Sequence, residues 1–115
     1  MSERSPFLLL DDLITSGQKI LEYTYNLSYN QFLSDEKTID AVIRNFEIIV
    51  EVVNRLPDEF KKKHSEIDWH RIRGFRNRIV HDYFGIDYEI VWEIKEKFLP
   101  ELITVLKSIS DSLQE

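Results

Sequence analysis

The sequence predicts an all-α fold, an up-and-down bundle of four to five helices in a single domain that spans residues 1–115. Apolar residues recur every three or four positions along most of the chain, which is the spacing of an amphipathic helix. The three glycines and three prolines are too few for the many tight turns of a β-sandwich. Because 43% of the residues are hydrophobic and 31% are charged, the chain should fold rather than remain disordered.

The first two helices are predicted from Pro6 to about Asn26, and from an N-cap at Ser34 to the residue before Pro57. Gly17 interrupts the apolar stripe of the first helix and is tolerated there. Acidic residues follow Ser34 in the first turn of the second helix, where they complement the helix dipole. The stripe of this second helix is the most regular in the chain and comprises Ile39, Val42, Ile43, Phe46, Val50 and Val53.

The second half of the chain predicts two further helices after a connector. The connector, "LPDEFKKKHSEID" (56–68), is dense in charge and has room for one helical turn around Asp58–Lys63. Apolar spacing predicts a third helix from Trp69 to near Gly85. A last helical stripe starts after Asp87, a candidate N-cap. Pro100 interrupts this stripe, and because proline removes a backbone donor, the helix should kink or split there.

Several features predict a cytoplasmic protein with no membrane association. The chain contains no cysteine, so neither a disulfide framework nor a thiolate zinc site can form. Its longest apolar runs are too short to span a bilayer, and the N-terminus lacks the three regions of a signal peptide. These observations are consistent with a reducing compartment.

The charge of the chain is unevenly distributed. The net charge of −6 argues against indiscriminate nucleic-acid binding, yet residues 61–81 carry seven basic side chains against two acidic ones. These basic residues could form an electrostatic path for RNA, although a run of charge is more often only a solvated face. They are Lys61, Lys62, Lys63, Arg71, Arg73, Arg76 and Arg78.

The stretch "RNRIVHDYF", residues 76–84, ends this basic segment and contains the candidate catalytic groups. Histidine transfers protons near neutral pH, and the planar guanidinium of arginine suits a phosphate that gains charge in a transition state. In an ideal helix Asn77 and His81 share a face, whereas Arg76 and His81 lie about 140° apart. A shared site therefore needs a distorted helix end or a second subunit. On composition alone, solvated arginines and a helix-end histidine remain the plainer interpretation.

Two other groups of polar residues are weaker candidates. His64, Glu66, Asp68 and His70 lie two residues apart in sequence, and this spacing matches no established metal-ligand pattern. We therefore expect neither a metal nor another cofactor. Glu47 and Glu51, one turn apart on the second helix, could form a carboxylate pair, but such residues usually bind a nearby arginine.

The motif resembles the R-N-x-x-x-H-x-Y signature of the HepT-like members of the HEPN superfamily, which are toxin ribonucleases encoded beside a minimal nucleotidyltransferase antitoxin of the MntA type. The resemblance covers about residues 35–102. It includes "AVIRNFEIIVEVVNRLP" (41–57), the tryptophan of "IDWHRIRGFRN", and "FGIDYEIVWEIKEKFLPEL" after the motif. One departure is visible, because Glu51 is followed by Val52 where the family usually has alanine.

This resemblance implies a homodimeric helical bundle that cleaves RNA without a metal, as the toxin of a type VII toxin–antitoxin system. Arg76 and His81 would then be the catalytic pair. Asn77 would orient the histidine ring or bind phosphate. Glu51, at a family motif position, would lie nearer Arg76 than Glu47 does. Arg73 and Arg78 would contact RNA.

The resemblance also assigns Tyr83 as the residue that the nucleotidyltransferase partner AMPylates, which would silence the toxin by bringing bulk and negative charge to the site. A core position or stacking on RNA is the alternative for this tyrosine. Two rival functions stay open at this point. One is a non-catalytic nucleotide- or substrate-binding subunit of a nucleotidyltransferase complex, and the other is a dimerisation scaffold without nucleotide contact.

Overall fold

The computed structural model describes residues 4–81 and 85–113, with the backbone alone at His81. Within these ranges it confirms the predicted all-α bundle, and none of the helices there is long and apolar enough to cross a membrane. The helices are α1 (Pro6–Tyr23), α2 (Tyr29–Leu33), α3 (Glu36–Arg55), α4 (Asp58–Lys63), α5 (Trp69–Arg73), α6 (Phe75–Ile79), α7 (Tyr88–Glu93) and α8 (Leu99–Leu113). Two short strands, β1 (Val80–His81) and β2 (Gly85–Ile86), form an antiparallel pair, and a π-helical turn (Ile94–Phe98) joins α7 to α8.

The long helix α3 begins one residue later than the sequence predicts. Its N-cap is Asp35, whose carboxylate accepts hydrogen bonds from the Thr38 backbone N–H at 3.1 Å and from the Thr38 hydroxyl at 2.7 Å. These bonds lower the pKa of Asp35 below its usual value, with the hydroxyl as the main cause. Ser34, the predicted N-cap, is instead the C-cap of α2. The prediction was wrong by one position because Asp35 reaches two donors of the first turn.

Helix α2 was not predicted from the sequence. It starts with a capping box in which Ser28 and Gln31 bond reciprocally: the Ser28 N–H donates to Gln31 Oε1 at 2.8 Å, and the Gln31 N–H donates to Ser28 Oγ at 3.1 Å. The helix places Phe32 in the core, fully buried, with its ring 5.1 Å from that of Trp92. This short helix thereby covers one side of α7.

Helix α1 packs against both α3 and α8. Gly17 lies close to α8, because a Cβ added there would be only 3.0 Å from Ile103 Cδ1. The glycine that interrupts the apolar stripe of α1 therefore allows the two helices to pack closely. Leu10, Leu13 and Ile20, one to two turns away, are fully buried beside it.

The last predicted helix is split, as the sequence indicated. Asp87 caps α7 by accepting a hydrogen bond from the Ile90 N–H at 3.1 Å. Before Pro100, which lies at the second position of α8, the backbone forms the π-helical turn, and the Leu99 N–H donates to Ile94 O five residues earlier. Since proline offers no N–H for an α-helical bond and crowds the preceding turn, the wider turn accommodates it.

Candidate functional site

The site predicted from residues 76–84 lies where the third predicted helix breaks up. Trp69, Ile72, Phe75 and Ile79 are all buried, as their spacing predicted. The helix itself is divided into α5 and α6 at Gly74, whose N–H donates to both His70 O and Arg71 O at 3.2 Å. The predicted end near Gly85 was wrong, because α6 ends at Ile79.

The end of α6 is determined by pairing with a later part of the chain. The Ile79 carbonyl accepts a hydrogen bond from the Asp87 N–H at 2.8 Å, and β1 then pairs with β2, with Val80 opposite Ile86. Val80 is extended, with φ −104° and ψ 115°. β-Branched residues such as Ile79 and Val80 fit an extended backbone better than a helix interior. Tertiary pairing therefore overrides the helical spacing at this point.

This change of backbone corrects the geometry expected for the motif. Asn77 lies in α6 and is exposed, whereas His81 lies in β1 and is not helical. The sequence prediction that Asn77 and His81 share a helix face was therefore wrong. The separation of about 140° between Arg76 and His81 assumed one continuous helix. Because α6 ends at Ile79, between the two residues, that angle does not describe their arrangement. The distorted helix end that a shared site would need is thus present.

Arg76 lies at the edge of a cleft with an apolar floor. Its lining comes from α3 and from the end of α6, and consists of Ile43, Phe46, Glu47, Val50, Arg76, Ile79 and Val80. The Arg76 side chain is exposed, and no residue in the described part of the chain forms an ion pair or hydrogen bond with it. A guanidinium without a counter-ion beside an apolar surface is available to bind an anion, and the apolar side strengthens the attraction.

The carboxylate that shares this cleft is Glu47 rather than Glu51. Glu51 instead forms an ion pair with Arg55, one turn later on α3, at 2.8 Å between carboxylate and guanidinium. The sequence analysis expected Glu51 to lie nearer Arg76, whereas the lining of the cleft includes Glu47.

The other basic residues of the segment differ in their surroundings. Arg73, at the end of α5, and Arg78, in α6, are both exposed. Arg71 places its guanidinium 4.4 Å from the centre of the Phe98 ring, a cation–π contact. The pKa of Lys61 is lowered by its burial and then by the neighbouring charge of Arg73, while Asp58 opposes both effects.

Three of the four residues considered for a metal make other contacts. Asp68 caps α5 by accepting a hydrogen bond from the Arg71 N–H at 3.0 Å, and His64 Nδ1 lies 4.0 Å from a carboxylate oxygen of Glu66. His64 also packs against the Phe60 ring, with 4.6 Å between ring centres. Among residues 4–81 and 85–113, no three histidine, aspartate or glutamate side chains are grouped so that they could hold a metal ion.

Two of the predicted site residues are described in part or not at all. For His81 the structure gives the backbone, which pairs with Gly85 across the two strands. Tyr83, the predicted modification site, lies outside the described residues. Both therefore remain predictions from the sequence.

Comparison with known proteins supports one family. The sequence model described as "Ribonuclease HepT-like" matches residues 13–109. A protein named "Putative RNase" from Caldanaerobacter subterraneus subsp. tengcongensis is 36% identical over 106 residues, which cover 92% of this chain and 95% of that protein. A protein named "Probable ribonuclease HepT" from Thermococcus cleftensis is 37% identical over 93 residues, covering 81% of this chain and 84% of the relative. No solved structure matches the chain.

Proposed function

The chain belongs to the HepT-like ribonuclease family, and from this membership we infer that it is an endoribonuclease that cleaves RNA at a site formed around Arg76 and His81. One structural observation carries the assignment of the site. The Arg76 guanidinium stands without a counter-ion among the described residues, at the edge of an apolar cleft, five positions before His81 and across the end of α6.

The proposed reaction needs no metal ion. His81 assists the removal of the proton from the ribose 2′-hydroxyl, whose oxygen attacks the adjacent phosphorus. Arg76 stabilises the additional negative charge that develops on the phosphoryl oxygens. The bond from phosphorus to the 5′-oxygen of the next nucleotide breaks, that oxygen takes up a proton, and the products are a 2′,3′-cyclic phosphate end and a 5′-hydroxyl end.

Other residues around the cleft support this reaction in the proposal. Asn77, exposed beside Arg76, can donate to a phosphate oxygen, and Arg73 and Arg78 are free to contact the RNA backbone. For the supporting carboxylate, Glu47 is a better candidate than Glu51, because Glu47 lines the cleft whereas Glu51 is paired with Arg55.

We further propose that two copies of the chain associate through this face. The apolar floor of the cleft is open on its outer side, and an isologous contact there would cover it and bring two copies of the Arg76 segment together. The molar mass in solution tests this proposal, measured by light scattering during size-exclusion chromatography. A purely monomeric protein at micromolar concentration would contradict it.

The biological setting follows from the sequence resemblance to HepT-like toxins. The chain would act in the cytoplasm as the toxin of a type VII toxin–antitoxin pair. An MntA-like nucleotidyltransferase would inactivate it by AMPylating Tyr83, since a nucleotide attached two residues from His81 would occupy space that the RNA phosphates need. Mass spectrometry after co-expression with that partner tests the assignment, and an unmodified Tyr83 in a neutralised complex would refute it.

The decisive test of the ribonuclease site is the cleavage of a single-stranded RNA by purified wild-type, His81→Ala and Arg76→Ala proteins. We expect each substitution to reduce kcat at least about 100-fold, the usual cost of losing a catalytic proton donor or a charge-stabilising group. Lys107→Ala, at an exposed position of α8, serves as the control for contaminating nucleases. RNA that is bound but never cut by the wild type would favour a non-catalytic binding subunit instead.

A further inference from the structure

Asp87 joins the end of α6 to the start of α7 through hydrogen bonds on both sides. Its backbone N–H donates to Ile79 O at 2.8 Å, at the last residue of α6. Its carboxylate accepts from the Ile90 N–H at 3.1 Å, and its carbonyl accepts from the Val91 N–H at 3.1 Å, both within α7. Asp87 therefore links two helices that are separate in the chain.

Helix α7 is a firm attachment point, because it is packed into the core. Val91 is fully buried. The Trp92 ring lies 5.1 Å from the buried ring of Phe32 and 5.8 Å from the ring of Tyr29. A residue that is bonded to this helix through both its side chain and its carbonyl loses much of its backbone freedom. The N–H of Asp87 is thereby held in the direction of α6.

The bond between Asp87 and Ile79 closes the part of the chain that contains the proposed catalytic histidine. Between these two residues, β1 and β2 form an antiparallel pair in which the His81 backbone lies opposite Gly85. Each strand has two residues, and a pair so short is not stable by itself. The bond from Asp87 to Ile79 continues the same pairing and ties it to α7. The backbone position of His81 relative to Arg76 therefore depends on Asp87.

We propose that Asp87 is a positioning residue for RNA cleavage, which by capping α7 holds the backbone of His81 at the distance from Arg76 that the reaction requires. The inference rests on the proposed ribonuclease function and adds a residue that takes no part in proton transfer. Asparagine can accept the same bond from the Ile90 N–H, whereas alanine cannot. Because a small displacement of a catalytic group costs much of the rate, loss of the cap should lower kcat.

The experiment compares Asp87→Ala and Asp87→Asn with Asp35→Ala, a matched control that removes the carboxylate cap of α3 and its bonds to Thr38. Each protein is assayed on single-stranded RNA well below its Tm. We expect Asp87→Ala to reduce kcat about 10-fold with KM within about twofold, because the contacts to RNA remain while the reacting groups are displaced. Asp87→Asn should keep at least about half of the wild-type kcat, and Asp35→Ala should keep nearly all of it.

A second variant separates position from stability. Glycine lacks the capping side chain but costs a helix cap little stability, so Asp87→Gly should fold and still show the fall in kcat. A wild-type kcat in both Asp87→Ala and Asp87→Gly would refute the positioning role. An asparagine variant as slow as the alanine variant would instead assign the effect to the charge of Asp87, and an equal loss in Asp35→Ala would assign it to general destabilisation. Either result would overturn the proposal.

Amide hydrogen exchange provides a measurement that is independent of cleavage. The backbone N–H of residue 87 bonds to Ile79 O, so its protection factor reports directly on the joint. We expect this factor to fall about fivefold in Asp87→Ala and Asp87→Gly, and to stay at the wild-type value in Asp35→Ala. An unchanged factor in the two Asp87 variants would contradict the anchoring. If the wild type cuts no RNA while the factors change as expected, the ribonuclease proposal fails and the anchoring of the His81 backbone by Asp87 stands.

Discussion

Helix α3 and the segment from Trp69 to His81 both carry apolar stripes with helical spacing, yet they fold differently. In α3 the stripe runs through 20 residues of continuous helix, from the Asp35 cap to Arg55. In the segment the same spacing is divided into two five-residue helices and a strand. Most of the predicted stripe residues are buried in both regions, although Ile43 and Val80 are only partly buried. Periodicity therefore reports which side chains face the core, but not whether the backbone between them stays helical.

The difference has a local and a tertiary cause. Helix α3 has a side-chain cap with two hydrogen bonds, whereas α6 begins at Gly74 with no side-chain cap. At its other end α6 is followed by the β1–β2 pair. The second strand of this pair, Gly85–Ile86, comes several residues later in the chain, and no local sequence pattern predicted the pairing. The candidate site lies at this break, where an arginine and the residues after the helix end can approach one cleft. Regular helices form the support, and the irregular segment carries the proposed catalytic residues.

The largest effect should come from the residue that joins the two regions, Phe75. It is fully buried in α6 and meets the rings of Phe46 and Phe98 edge to face, at 6.2 and 5.3 Å. We expect Phe75→Ala to lower the free energy of unfolding by about 3–5 kcal/mol, from lost burial and a residual cavity. Urea denaturation followed by circular dichroism measures it. A loss below about 1 kcal/mol would mean that the segment is not integrated with the core of α3.

The next prediction compares Glu47 and Glu51, which lie one turn apart on α3, to determine which of them acts with the segment from Trp69 to His81. We expect Glu47→Gln to reduce kcat on RNA about 10-fold, because this carboxylate lines the same cleft as Arg76, whose guanidinium we propose to be catalytic. A factor of 10 corresponds to about 1.4 kcal/mol of transition-state stabilisation. Glu51→Gln removes an ion pair with Arg55 on the solvent side and should change kcat much less. The opposite order of effects would restore Glu51 as the supporting carboxylate.

A smaller effect is expected when Gly74, at the break between α5 and α6, is replaced by a residue that favours continuous helix as in α3. A Cβ at Gly74 would meet only Arg71 O at 3.5 Å and His70 O at 3.7 Å, which are ordinary contacts, and the backbone there is already near-helical. Gly74→Ala should therefore raise the free energy of unfolding by about 0.4–1 kcal/mol, mainly by restricting the unfolded chain. Thermal unfolding measures the change. A destabilised variant would show that the break between α5 and α6 is needed for packing.

The smallest effect concerns the cap of α3. The folded-state pKa of Asp35 is lowered, so its ionised form contributes stability above the ordinary carboxyl pKa, and this contribution is lost as the pH falls through the lowered folded value. Asp35→Asn keeps a cap acceptor but cannot ionise. The stability difference between wild type and variant should thus shrink between pH 7 and pH 2, as measured by urea midpoints. A constant difference would assign the effect to cap geometry alone.

The features that could be predicted from the sequence are those that depend on residues close together in the chain. The stripe of α3, the connector turn at Asp58–Lys63, the Asp87 cap and the disruption before Pro100 were all predictable, because each depends on neighbours within a few positions. Helix α2 was equally local, and its Ser28–Gln31 box could have been found. The end of α6 and the choice of Glu47 could not be derived in this way, since both depend on packing between distant parts of the chain.

The π-helical turn before Pro100 has a consequence for natural variation in length. Such a turn contains one residue more than an α-helix would use over the same rise, so it fixes the rotational phase of α8 relative to α7. Removing a single residue from Ile94–Phe98 would rotate the apolar side of α8 by about 100° away from Gly17 and the rest of α1. Relatives that shorten the chain at this point should therefore carry a compensating shift in the apolar pattern of their last helix.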